Sequence, residues 1–207
     1  MTAGRVIRSF PSPGALPYGL AWDGARLWHC DEATRTIYQI DPDSGRVIRS
    51  FTAPGSASWG LAWDGAKLWH CDGGARRIYQ IDPVTTRVLR SFVAPGTGPI
   101  SLAWDGARLW VGDYVSDLIA QLDPLSGRVI RSLTAPGGNP EGLTWDGHRL
   151  WCVGRQTNQI YSLDTFTGQI ITAFTEPSTG ATGLAKSDSL LWIADSIPRQ
   201  IYLVEVS

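Results

Sequence analysis

No stretch of this 207-residue chain shows helical periodicity over ten residues, so the apolar pattern gives no support to a helix-built fold. No apolar run approaches the length that crosses a membrane as a helix, and no membrane partner is expected. Cysteine is scarce. Cys30, Cys71 and Cys152 make an odd count, which argues against a disulfide framework and for free, buried thiols in a reducing compartment. Charge of one sign is also missing: 18 Lys and Arg stand against 19 Asp and Glu, for a net charge of −1. A general nucleic-acid partner would want a basic excess, so none is expected. There is no linker and no low-complexity stretch, which implies a single domain, 1–207, expected to be a monomer. Met1 to Arg5 leads straight into the first strand without a signal peptide, so a cytoplasmic location is expected. Ser-His-Asp triads, glycine-rich phosphate loops and Cys-x-x-Cys pairs are not visible, which leaves only sites assembled from distant segments.

What is present is a repeat. Trp-Asp-Gly-x-[Arg/Lys]-Leu-Trp occurs at Trp22–Trp28, Trp63–Trp69, Trp104–Trp110 and Trp145–Trp151, with a degraded copy at Lys186–Trp192. The spacing is 41 residues throughout. Each unit holds four short runs rich in Ile, Val, Leu, Trp and Tyr, separated by Asp-Gly, Asp-Pro and Pro-Gly turns. Four strands per unit of this length make a β-propeller blade. From the axis outward the strands are a to d.

The chain starts in a d strand, Gly4 to Phe10, identical to Gly45 to Phe51, and it ends in a c strand. The fifth blade therefore lacks an outer strand that the N-terminus supplies. The expected fold is all-β: a five-bladed propeller with four antiparallel strands per blade. Its blades span about 17–51, 58–92, 99–133, 140–174 and 181–207, the last completed by 4–10. A solenoid would want capping repeats, which are absent. Arg8, Arg49, Arg90 and Arg131 recur on the outermost strands, where charge blocks edge-to-edge pairing.

The repeats vary unevenly. The a–b turns (DGAR, DGAK, DGAR, DGHR) and the c–d turns are nearly fixed, whereas the b–c and d–a loops on the other face differ in every copy. Fixed turns follow from backbone geometry, while loops that diversify on a uniform scaffold point to a site. The residues at the start of strand a converge at that face's channel mouth: Tyr18, Trp59, Ile100, Glu141 and Thr182. Tyr18 and Trp59 offer aromatic faces to a small molecule or peptide. Glu141 offers a partner for an amine, or an acid/base if burial raises its pKa. From the variable loops, Asp72, Asp113, Tyr114 and Arg155 join these as candidate ligand-binding residues. Asp31, Asp72, Asp113 and Asp195 recur after strand b, and the favoured reading is that each holds its own turn rather than a cation. His29-Cys30 and His70-Cys71 alternate to opposite faces of a strand, so no metal site and no cofactor are expected.

The pattern of Trp59-Gly60-Leu61-Ala62, Cys71-Asp72-Gly73, Ile78-Tyr79 and Asp82-Pro83 resembles the five-bladed glutaminyl cyclotransferases of bacteria and plants. The wider repeat resembles NHL-like and streptogramin-lyase-like propellers. The resemblance implies the fold and, as one reading, a cyclotransferase-like or lyase-like enzyme with Glu141 as acid/base. Two departures stand against carrying over the activity. Tyr18 occupies the place of a family Gln, and Ala57 that of a family Glu. The reading favoured from the residues is a ligand- or peptide-binding propeller that uses the variable loop face and leans away from enzymatic activity. A third is a recently amplified or designed scaffold, which the equal length of all repeats would suit.

Overall fold

A computed structural model describes residues 4–206; the start at Met1 to Ala3 and the final Ser207 lie outside the described residues. Strand β1 (Arg5–Pro11) opens the chain, and every other strand belongs to a four-strand unit in sequence order. The first blade holds β2 (Pro17–Trp22), β3 (Leu27–Asp31), β4 (Thr36–Ile40) and β5 (Val47–Thr52). The second holds β6 (Ser58–Trp63), β7 (Leu68–Asp72), β8 (Arg77–Ile81) and β9 (Val88–Val93). The third holds β10 (Pro99–Trp104), β11 (Leu109–Asp113), β12 (Leu118–Leu122) and β13 (Val129–Thr134). The fourth holds β14 (Pro140–Trp145), β15 (Leu150–Gly154), β16 (Gln159–Leu163) and β17 (Ile170–Thr175). The fifth runs β18 (Ala181–Ser187), β19 (Leu190–Asp195) and β20 (Gln200–Glu205), and β1 pairs antiparallel with β20 to complete it. The ring closes as the sequence implies, with strand limits differing from the expected ones by one or two residues.

The repeated motif is a hydrogen-bonded unit. In the second blade, one carboxylate oxygen of Asp64 accepts the backbone N–H groups of Ala66 and Lys67 at 3.0 and 2.7 Å and so forms the a–b turn. The other oxygen accepts the indole N–H of Trp69 at 2.9 Å and the side-chain amide of Gln80 at 2.8 Å. One aspartate thus ties strands a, b and c together. Gly65 follows it at φ 98°, a conformation that only glycine takes without strain. Asp23, Asp105 and Asp146 do the same for Trp28, Trp110 and Trp151, while Ser187 stands in for the aspartate beneath Trp192.

Each buried tryptophan packs toward the neighbouring blade. Trp69 stacks on Trp104 (6.4 Å between centroids, 10° between planes) and Trp192 on Trp22 (6.4 Å, 21°). Rim arginines cover the outer edge: Arg49 lies over Trp28 and Arg131 over Trp110, each at 5.1 Å. The three thiols are free and buried. Cys30 and Cys71 face carbonyls of the next blade, at Trp59 and Pro99, rather than any ion. Among the described residues no cluster of His, Cys, Asp or Glu has the geometry to hold a metal, and no helix is long and apolar enough to cross a membrane.

Candidate functional site

In every blade the ladder between strands a and b slips at its start, between Pro17 and Leu20, Ser58 and Gly60, Pro99 and Ser101, Pro140 and Leu143, and Ala181 and Gly183. Tyr18, Trp59, Ile100, Glu141 and Thr182, the five singled out from the sequence, fall at these slips without a strand-b partner, as do Gly19 and Gly142. A bulge re-aims a side chain, and of the five Glu141 lines this end of the axis.

The ring is uneven. Tyr18 and Trp59 stack (6.2 Å, 30°), and Tyr114 meets Trp59 edge-on at 5.9 Å. Burial, with Glu141 nearby, pushes the Tyr18 phenol up to about 12. Glu141 is 9% exposed; one of its oxygens lies 3.5 Å from Arg155 and the other accepts from the Asn139 amide at 3.2 Å. Burial outweighs both partners and raises its pKa to about 7. Asn139 is held at φ 42°, a strained conformation beside the one carboxylate of the ring.

Other expected members of the site serve the fold. The Thr182 hydroxyl donates to the Pro17 carbonyl at 2.8 Å and pins the fifth blade to the first. Ile100 is buried. Asp72 accepts from the backbone of Ser56, Ala57, Gly74 and Ala75, and Asp113 from Gly98, Val115 and Ser116. Both oxygens of each of these two aspartates, expected among the ligand-binding groups, are engaged in joining the b–c turn to the d–a loop. The mouth is also shallow. Leu20, Leu61, Leu102, Leu143 and Leu184 meet on the axis directly beneath and leave no room for a water molecule. A recess of about 80 Å³ opens at the opposite end of the axis, among Trp22, Trp63, Trp104, Trp145 and Lys186, where the tryptophans are already engaged in packing between blades.

One carboxylate escaped the sequence reading. Glu176 takes the place of Ala53, Ala94 and Ala135 in the Ala-Pro-Gly turn, and this departure from the repeat was its only signal. It is 4% exposed; one oxygen accepts the Ala181 N–H at 2.8 Å and the other has no partner. Burial raises its pKa to about 7. Arg155, bonded to the Thr179 carbonyl, sits within electrostatic reach of both carboxylates. Partnerless polar atoms gather on this face: Trp59 Nε1, Asn139 Oδ1, Glu176 Oε1 and Asp195 Oδ2. Unsatisfied buried groups cost stability and so mark places where something other than folding sets the residue.

The Glu176 shift has a measurable consequence. Its pKa is raised from 4.5 to about 7, so its contribution to stability is complete below about 4.5 and is lost as pH rises through about 7. The stability difference between Glu176→Gln and wild type is therefore expected to move in the variant's favour across that window, measured by denaturant unfolding at stepped pH. A difference independent of pH would show that Glu176 ionises normally.

The comparisons agree with this frame. The sequence profile described as glutamine cyclotransferase matches residues 8–140. The chain belongs to the glutamine cyclotransferase family. Among solved structures, glutaminyl cyclase from Myxococcus xanthus superposes with a TM-score of 0.83, covering 99% of this chain and 98% of that one at 14% identity. A catalytically inactive virginiamycin B lyase from Staphylococcus aureus, solved with quinupristin, gives 0.59 over 90% of this chain and 65% of that one at 22% identity. The WD40 propeller domain of Doa1 gives 0.62 over 91% and 63% at 12% identity. Identities this low carry the fold alone. No curated protein matches the sequence. This chain places its buried mouth carboxylate in the fourth blade, at Glu141, and carries Ala57 in the loop that leads into the second blade.

Proposed function

We propose that the variable face receives the glutaminyl amino terminus of a peptide and cyclises it, with Glu141 as the proton carrier. The observation that carries this is a buried carboxyl with a pKa near 7 beside an aromatic pair. In the reaction the terminal amine attacks the side-chain amide carbon, a C–N bond closes the lactam, and ammonia departs. One proton must leave the attacking nitrogen and one must reach the leaving nitrogen. A group half-ionised near neutrality does both. The Tyr18–Trp59 faces would hold the peptide's first residues, and Arg155 would restrain Glu141.

The family membership favours turnover over the binding-only reading reached from the residues. Binding without turnover is the second reading, and the closed axis beneath a shallow mouth favours it. Incubation with a Gln-initiated peptide, followed by mass and ammonia release, separates the two. Loss of ammonia is expected, and it should fail for the same peptide with an acetylated amine. Trp59→Ala should weaken peptide affinity about tenfold or more, as loss of an aromatic anchor does, without unfolding the ring. A peptide recovered unchanged and showing no saturable binding would overturn both readings.

A further inference from the structure

Strand c carries a tyrosine at one register position in four blades: Tyr38, Tyr79, Tyr161 and Tyr202. Each ring packs on the preceding blade in the ring, Tyr79 for example within the core of the first and second blades. In the third blade the same position is Ala120. The strand-b neighbour changes with it. His29 and His70 stack on Tyr38 and Tyr79 at 6.1 and 6.2 Å, whereas the third blade has Val111. Nothing fills the lost volume: a cleft of about 190 Å³, bordered on the solvent side by the exposed Leu118 and Val129, remains against Ala120, walled by Pro95, Val111 and Asp113 with Ser116 and Ser132 at its edge.

The intact blades show what such a space holds. The Tyr38 hydroxyl lies 3.1 Å from Thr34 Oγ1, and Thr34 in turn bonds Asp31. The Tyr161 hydroxyl lies 2.9 Å from Thr157 Oγ1. In the third blade Ser116 replaces Thr34, and its hydroxyl already bonds Asp113 at 3.0 Å. The polar end of the mould is therefore retained while its ring is missing. An enclosed apolar cavity of roughly 150 Å³ takes up benzene, and this cleft offers a comparable volume with one side open to solvent.

From this juxtaposition we infer that the third blade has a binding site for a small phenol, its ring in the space beside Ala120 and its hydroxyl on Ser116. The site lies between the second and third blades, apart from Glu141 and the channel mouth, and does not depend on the cyclotransferase reading. The ligand class is a para-substituted phenol with a short substituent, the size of a tyrosine side chain.

The probe is p-cresol, titrated into the whole protein while the methyl NMR signals of Val111, Leu118 and Val129 are followed. Saturable shifts with a Kd of about 0.1–1 mM are expected for a ligand of this size. Ser116→Ala should weaken binding about fivefold, as should replacing p-cresol by toluene, since either change removes one hydrogen bond. Ala120→Tyr should abolish binding by filling the site, and should raise the melting temperature by restoring the repeat. Ala120→Leu, a smaller plug, gives the same test should Ala120→Tyr not fold. Absence of saturable shifts at those methyls, or binding that survives the filled cavity, would overturn the assignment.

Discussion

Glu141→Gln is expected to remove about 10²–10⁴-fold of turnover on a Gln-initiated peptide while leaving its affinity nearly unchanged. The substitution keeps the side chain's length and its capacity to accept from Asn139, so the mouth should keep its shape. What it removes is the group that exchanges a proton near neutrality. The pH profile gives a second, independent reading. With the Glu141 pKa near 7, kcat/KM of the wild type should rise as pH passes through about 7, because the carboxylate that accepts the amine proton forms there. Arg155 holds that pKa down against burial, so Arg155→Met should move the rising limb to higher pH. Glu141→Gln with turnover intact would remove this residue from the chemistry and leave the variable face as a binding surface.

The ring was legible because the information is redundant. The 41-residue period and the fixed Asp-Gly turns give the blade, and a d strand at the start with a c strand at the end gives the closure. The common register of the first residues of strand a was also legible, since the repeat length is constant in all blades. What those side chains do was less so. Thr182 looks like a mouth residue in sequence, yet its hydroxyl is used by the Pro17 carbonyl across the closure. Asp72 and Asp113 act as turn acceptors, the role their recurrence favours, because a buried carboxylate beside several free N–H groups is drawn to them. Glu176 went unnoticed because a lone substitution in a loop has no periodicity to mark it. Its significance comes from burial and from Arg155, which lies in the b–c loop of the same fourth blade. Alignment of the repeats against each other would have exposed it, as it exposes Ala120.

Trp69→Ala is expected to cost about 3–5 kcal/mol in denaturant unfolding, the largest stability loss foreseen for a single change in this ring. Trp69 is 1% exposed, and it contacts Trp104 and Phe92 at centroid distances of 6.4 and 6.0 Å. The truncation opens a cavity at a junction that cannot collapse, since the neighbouring blades are held at a fixed separation by the closed ring. It also leaves an oxygen of Asp64 with one donor fewer. Trp59, ten residues earlier in the same blade, supplies the contrast. It is only partly buried, its indole N–H has no partner, and it packs at the edge of the core between the second and third blades while meeting Tyr18 and Tyr114 at the mouth. Trp59→Ala should therefore cost much less, under about 1.5 kcal/mol, while removing affinity. Equal stability losses for the two variants would mean that the mouth aromatics are part of the core. They would then no longer be free to hold a ligand, and the case for a site on the variable face would rest on Glu141 alone.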